Sequence, residues 1–154
     1  MFLQDFISNG TPEDSLREML IEEKFGGLVI VKDIPLRGIC EHHTLPYVGR
    51  VAIGYIPHQK TVGLSKMTRM VESASKGLTI QERVTQRIAD AMESVLDPKG
   101  VMVVAEAIHS CVLVRGVKSE IQKFITSVAT GVFLSNPAPR TEFLMLLSKN
   151  GSSL

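Results

Sequence analysis

Apolar and polar positions change period several times along the chain, and the changes outline its elements. Thr11-Pro12-Glu13-Asp14 offers an N-cap hydroxyl, a proline at the first helical position and two acids in the first turn. A short helix to about Lys24 follows, with Leu16, Met19 and Leu20 on one side. Gly26-Gly27 ends it, and the β-branched run 28–34 predicts a strand. Residues 47–56 predict a second strand, and Pro57-His58-Gln59-Lys60 a turn into a short strand at 61–64, which together read as a hairpin. Met67, Met70, Val71 and Ala74 recur at helical spacing, with Gly77 where a left-handed residue is wanted. Val84, Ile88, Ala91, Met92 and Val95 form the stripe of a second helix, stopped by Asp97-Pro98-Lys99-Gly100. Residues 101–117 read as strand almost throughout, 124–133 as a further strand and 141–148 as a helix. Strands, two consecutive helices, then strands predict an α+β fold with the helices on one face of an antiparallel sheet. One domain over residues 1–154 is expected, with a frayed tail at 150–153.

Composition narrows the function classes. With 154 residues, 44% hydrophobic and 21% charged, the chain is the size of one globular domain and can bury a core without metal or disulfide. A metal site would therefore serve function. A net charge of +1 leaves no electrostatic footprint for nucleic acid or an anionic membrane. No apolar run reaches the roughly 18 residues a bilayer span needs, and the N-terminus lacks a basic region followed by an apolar stretch and a cleavage site. A cytoplasmic location is expected, where two cysteines remain thiols.

Five of the six Cys and His residues fall in two short strings, Cys40-Glu41-His42-His43 and His109-Ser110-Cys111. Cys40 and His43 have the C-x₂-H spacing that lets a turn wrap both onto one ion, and Cys111 would complete a Cys₂His set, known for zinc sites with a position open to water. C-x-H is a more cramped chelate, which favours His43 as ligand and frees His42 for proton transfer. A fourth ligand from His42, His109 or Glu41 would instead close the site, and spacing leaves this open. The blander alternatives are buried thiols acting as small hydrophobes, or a Cys40–Cys111 disulfide.

If one strand continues from His109, then His109, Cys111, Leu113 and Arg115 share a face. Arg115 would lie about 13 Å beyond Cys111, a distance suited to a ligand reacting at the metal and carrying a polyanionic tail. Arginine is a bidentate fork for phosphate, although a strand-end arginine can simply sit in solvent. Ser65-Lys66-Met67-Thr68-Arg69 opens a helix with two cations in its first turn, against the usual preference for acids. That pattern fits an anionic ligand or exposed surface cations. Thr79-x-x-Glu82 fits a capping box; alternatively Glu82 accepts two hydrogen bonds from a guanine ring.

The strings CEHHTLPYVGRVAIGYIP, GLSKMTRMVE, QERVTQRIADAM, VMVVAEAIHSCVLVRGV and TSVATGVF, in order and with matching spacing over roughly residues 28–147, resemble the GTP cyclohydrolase I family, in a form with a short N-terminal part. The resemblance implies the tunnelling fold, a toroidal homo-decamer with active sites between subunits, and conversion of GTP and water to formate and 7,8-dihydroneopterin triphosphate. It implies zinc (Zn2+) held by Cys40, His43 and Cys111, with water activated by the metal adding to carbon 8 of guanine. His42 resembles the acid that protonates the neighbouring ring nitrogen. His109 resembles the residue that manages protons near that water and the ribose. Glu82, with Gln81 beside it, resembles the carboxylate that reads the guanine edge, and Ser65, Lys66, Arg69 and Arg115 resemble the triphosphate-holding residues. His58 has no such counterpart. Family members usually carry helices and a basic segment before this region, Phe124 stands where a threonine is common, and Lys76-Gly77 replaces a commonly basic pair. Two further readings are a different pterin or 7-deazaguanine enzyme of the same fold, such as dihydroneopterin triphosphate epimerase, and a nucleotide- or zinc-binding assembly module without turnover.

Overall fold

Residues 10–114 and 122–148, described by a computed structural model, alternate between strands and helices. In chain order these are α1 (Pro12–Arg17), β1 (Leu20–Glu22), β2 (Val29–Cys40), β3 (Pro46–Ile56), β4 (Lys60–Val62), α2 (Leu64–Ala74), β5 (Leu78–Thr79), α3 (Gln81–Leu96), β6 (Gly100–His109), α4 (Ser110–Leu113), β7 (Phe124–Ala129), α5 (Val132–Ser135) and α6 (Pro137–Ser148). The main sheet has the order β5-β2-β3-β6-β7, antiparallel except for the short parallel pairing of β5 with β2. This is the expected α+β architecture. No helix among the described residues is long and apolar enough to cross a membrane.

Side-chain alternation along β6 divides the apolar residues between two faces. Val101, Val103, Ala105 and Ala107 join the large core with Met67, Met70 and Val71 of α2 and Val84, Ile88 and Met92 of α3. Met102 and Val104 point the other way, into a smaller cluster with Phe133 of α5 and Phe143 of α6. The two consecutive helices therefore cover one face, as the strand-helix-helix-strand order predicts. The C-terminal helices cover part of the other.

Three local expectations are overturned. The first helix stops at Arg17, with Glu18 as its C-cap, rather than near Lys24; Leu20–Glu22 is extended and Met19 is exposed. The expected hairpin of 47–56 with 61–64 does not form. β3 is flanked on both edges by β2 and β6, so β4 pairs instead with β1, in the register Leu20↔Val62 to Glu22↔Lys60. The long strand at 101–117 ends at His109, and Ser110–Leu113 closes one helical turn with Val114 N donating to Ser110 O at 3.0 Å. The physical reason is the loss of partners: β7 pairs no further than Ala107, and β3 begins at Pro46, its register with β6 ending at Tyr47↔His109. Beyond that point, with no paired strand among the described residues, a local turn satisfies the backbone, whatever the β-propensity of Val112 and Val114.

Candidate metal centre

Register brings the ends of several elements to one corner of the sheet. β2 ends at Cys40, whose parallel partner on β5 is Thr79. Two residues later Gln81 opens α3, with Glu41 N donating to Thr79 O at 3.0 Å. From the opposite side, Tyr47 near the start of β3 pairs with both Gly38 of β2 and His109 of β6. Cys111 follows His109 in the first turn of α4.

The turn after β2 is closed by Thr44 N donating to Cys40 O at 2.8 Å and Cys40 N donating to Leu45 O at 2.9 Å. Thr44 adopts a positive φ of 54°, a left-handed conformation that a β-branched residue rarely takes. The wrapped turn returns His43 towards Cys40. The ligating atoms of Cys40, His43 and Cys111 all lie within 4.8 Å of one another, with both cysteines buried and His43 half-buried. Both cysteines are free thiols.

The chemistry of this group fits a divalent metal. His43 Nδ1 is buried with no hydrogen-bond partner among the described residues, a condition that costs free energy unless the imidazole gains a ligand. Burial pushes the Cys111 thiol up from its ordinary value, and the neighbouring Cys40 adds to the shift. Two adjacent thiols give up their protons when a cation takes their place. None of the three candidate fourth ligands belongs to the cluster. Glu41 accepts from Arg83 Nη1 at 2.5 Å, His109 is bonded to Gln81, and the exposed His42 meets His43 edge-on at 6.1 Å between ring centroids. Three protein ligands are the number zinc takes where a position is left for water or substrate.

His109 is held on three sides. Its ring stacks on Tyr47 at 4.7 Å between centroids and 15° between planes, and Phe124 meets it edge-on at 5.2 Å. Its Nε2 lies 2.9 Å from Gln81 Oε1. Gln81 is only 2% exposed, and its Nε2 donates to Ala105 O and Phe124 O, each at 3.0 Å, and to Thr126 Oγ1 at 3.2 Å. Carbonyl oxygens can only accept, so the amide orientation is settled, Oε1 accepts, and the His109 proton sits on Nε2. Burial lowers the His109 pKa below its ordinary 6.5, opposed by the carboxylate of Glu82. The imidazole is therefore neutral at pH 7, with Nδ1 as the nitrogen that can take a proton.

The capping-box reading of Thr79 and Glu82 is overturned. The N-cap of α3 is Ile80, without a side-chain cap bond, and the Thr79 hydroxyl is bonded to the Tyr47 hydroxyl at 2.7 Å. Pairing with Cys40 keeps Thr79 in the sheet, so the helix starts later than the pattern suggests. Glu82 is left exposed beside His109. The shared strand face from His109 to Arg115 is likewise replaced by the turn of α4, and Arg115 itself lies outside the described residues.

Ser65, Lys66 and Arg69 form a second group on the first turns of α2, with Ser65 and Arg69 exposed and Lys66 half-buried. Gly63 caps this helix without a side-chain bond, and its first turn has no acid. Glu18 bonds both Lys66 and Arg69. Sequence reasoning missed Glu18, Tyr47 and Arg83. Each acts across a pairing or helix contact, which local pattern does not carry.

Comparison with known proteins agrees with this geometry. A family model described as GTP cyclohydrolase I matches residues 3–148. The GTP cyclohydrolase 1 of Chlorobium chlorochromatii is 46% identical over 147 residues, covering 94% of this chain and 66% of that protein. The rat and human GTP cyclohydrolases 1 are 47% and 46% identical, each over 89% of this chain and over 57% and 55% of their own lengths. The chain thus spans less than two thirds of the length of these relatives. Among solved structures, an archaeosine synthase QueF-Like in the apo form aligns with a TM-score of 0.57 and 16% identity, over 70% of this chain and 97% of that one. At that identity the likeness speaks for the fold, which is the tunnelling fold.

Proposed function

Because the chain belongs to the GTP cyclohydrolase I family, we propose that it converts GTP and water to formate and 7,8-dihydroneopterin triphosphate, as a zinc enzyme working in a toroidal homo-oligomer. The observation that carries this reading is the convergence of Cys111 with the sequence-distant pair Cys40 and His43, whose imidazole has a buried Nδ1 without a hydrogen-bond partner among the described residues. These three residues would hold the zinc. Bound there, zinc supplies a Lewis acid that makes water nucleophilic at neutral pH.

The remaining roles belong to the chain's own groups. His42, exposed beside the ligand turn, donates a proton to the imidazole ring of guanine and makes the adjacent carbon electrophilic. His109, neutral and with its proton held on Nε2 by Gln81, receives and returns protons through Nδ1 during ring opening and rearrangement of the ribose. Gln81, with its amide engaged, reaches the substrate only through His109. Glu82 accepts two hydrogen bonds from the guanine edge, a charge-assisted arrangement that fits guanine and rejects adenine. Ser65, Lys66 and Arg69 hold the triphosphate at the N-terminus of α2, and Arg115 is assigned to the same ligand.

The test is metal content measured beside GTP turnover on one sample. One zinc per chain with release of formate and a pterin that fluoresces after oxidation is expected, and chelation should abolish both products. Zinc at one per chain with tight GTP binding and no product would favour the assembly module; turnover that survives complete chelation would favour a relative with other chemistry.

A further inference from the structure

The cations at the start of α2 already hold an anion. Glu18, the residue that closes α1, places one carboxylate oxygen on both Lys66 Nζ and Arg69 Nη1, although 48 and 51 residues separate them. The Lys66 side chain is 14% exposed, whereas those of Glu18 and Arg69 are 53% and 61% exposed. The lysine is thus held in the protein surface while its counter-ion stands at the solvent edge, where an incoming ligand can reach it. Lys66 also keeps the Glu18 carboxyl below its ordinary value of 4.5, so Glu18 is ionised at neutral pH. The first turn of α2 has no acid of its own; its anion arrives from another element. A carboxylate oxygen shared by Lys and Arg makes the same charge-assisted bonds as a phosphate oxygen would.

Resting on the reading of Lys66 and Arg69 as phosphate-holding residues, we propose that Glu18 is an intramolecular stand-in for substrate phosphate. Its carboxylate occupies the Lys66–Arg69 fork and must leave it when a triphosphate binds, so Glu18 sets the affinity of the site for polyphosphate. The displaced carboxylate remains tethered at the end of α1 and continues to repel the phosphates. Glu18 therefore opposes binding both by competition and by charge. Exposed ion pairs are individually weak, so the expected effect is about two- to fivefold in affinity. It should shrink as salt screens the pair.

Calorimetric titration of the zinc-loaded full chain with inorganic tripolyphosphate tests this, using wild type, Glu18→Gln, Glu18→Ala and Lys66→Ala. Both Glu18 variants should bind tripolyphosphate about two- to fivefold more tightly than wild type, with KM for GTP falling in parallel. Equal or weaker binding by the Glu18 variants, while Lys66→Ala loses affinity, would overturn the stand-in and make Glu18 a brace for Lys66. Unchanged tripolyphosphate affinity in Lys66→Ala would instead remove the phosphate reading on which the inference rests.

Discussion

His109 Nε2 lies 2.9 Å from Gln81 Oε1, and the amide that makes this contact is itself held by the carbonyls of Ala105 and Phe124. Backbone of β6 and β7 thereby dictates which nitrogen of a candidate catalytic imidazole carries the proton. Replacing Gln81 with Ala removes the amide's bonds to the buried Ala105 carbonyl, to the Phe124 carbonyl and to the Thr126 hydroxyl, which keeps its bond to Thr85, and releases the ring. Stability should fall by about 1–3 kcal/mol in urea denaturation. Turnover should fall further than stability explains, with zinc content unchanged. Zinc loss would point to a general collapse of the corner.

Cys111→Ala and His42→Ala separate holding the metal from moving protons. Cys111 belongs to the three-ligand cluster and His42 does not. Cys111→Ala should lose zinc and activity together, read by metal analysis and pterin fluorescence. His42→Ala should keep its zinc and lose turnover by about 10²- to 10⁴-fold, the usual range for a general acid. Retained turnover in His42→Ala would end its assignment as the acid.

Glu82 does not cap its helix, since Ile80 is the N-cap and Thr79 is bonded to Tyr47. Glu82→Ala should therefore leave thermal stability nearly unchanged while raising KM for GTP by roughly tenfold or more, as expected for loss of charge-assisted bonds. A fall in melting temperature with unaltered KM would restore the capping role.

Gly38 lies under the Tyr47 ring, where an added Cβ would meet Tyr47 Cζ at 2.2 Å. Tyr47 is fully buried and stacks on His109, so the ring cannot move without disturbing the imidazole. Gly38→Ala should cost about 1–3 kcal/mol in stability through overpacking and reduce turnover. Adding Tyr47→Phe should not recover the loss, because the ring carbon Cζ stays 2.2 Å from the added Cβ and the buried bond to Thr79 is lost as well; recovery in the double variant would show that the hydroxyl alone carries the clash.

Asp14 provides a pH test at the other end of the molecule. Its carboxylate accepts from Thr11 N at 3.1 Å, and bonds to the Thr11 backbone and then its side chain hold its pKa below the ordinary 3.8. A depressed carboxyl adds stability above its unfolded pKa and loses it as pH falls through the folded one. The melting-temperature difference between wild type and Asp14→Asn should be small and constant above about pH 5, then vanish as Asp14 protonates. A difference that grows in acid would contradict the sign.

Much of the molecule was legible in the order of residues because it depends on local chemistry. The helices α2 and α3 followed from apolar spacing, the stop of α3 from the string Asp97-Pro98-Lys99-Gly100, and the Thr11 cap from its hydroxyl and the following proline. The two Cys/His strings pointed to the Cys40–His43–Cys111 cluster because a turn and a pair of soft donors are local signals. Pairing decided the rest. Whether 61–64 returned to β3 depended on β3 having a free edge, and whether Val112 and Val114 stayed extended depended on a neighbour that ends at Pro46. Likewise the tautomer of His109 rests on carbonyls from two strands, and the cations Lys66 and Arg69 of α2 carry a counter-ion, Glu18, from the end of α1. Residue type and short spacing specify what a group can do. Which partner it meets is settled by long-range register, where the free energy lies in contacts that no short window of sequence contains.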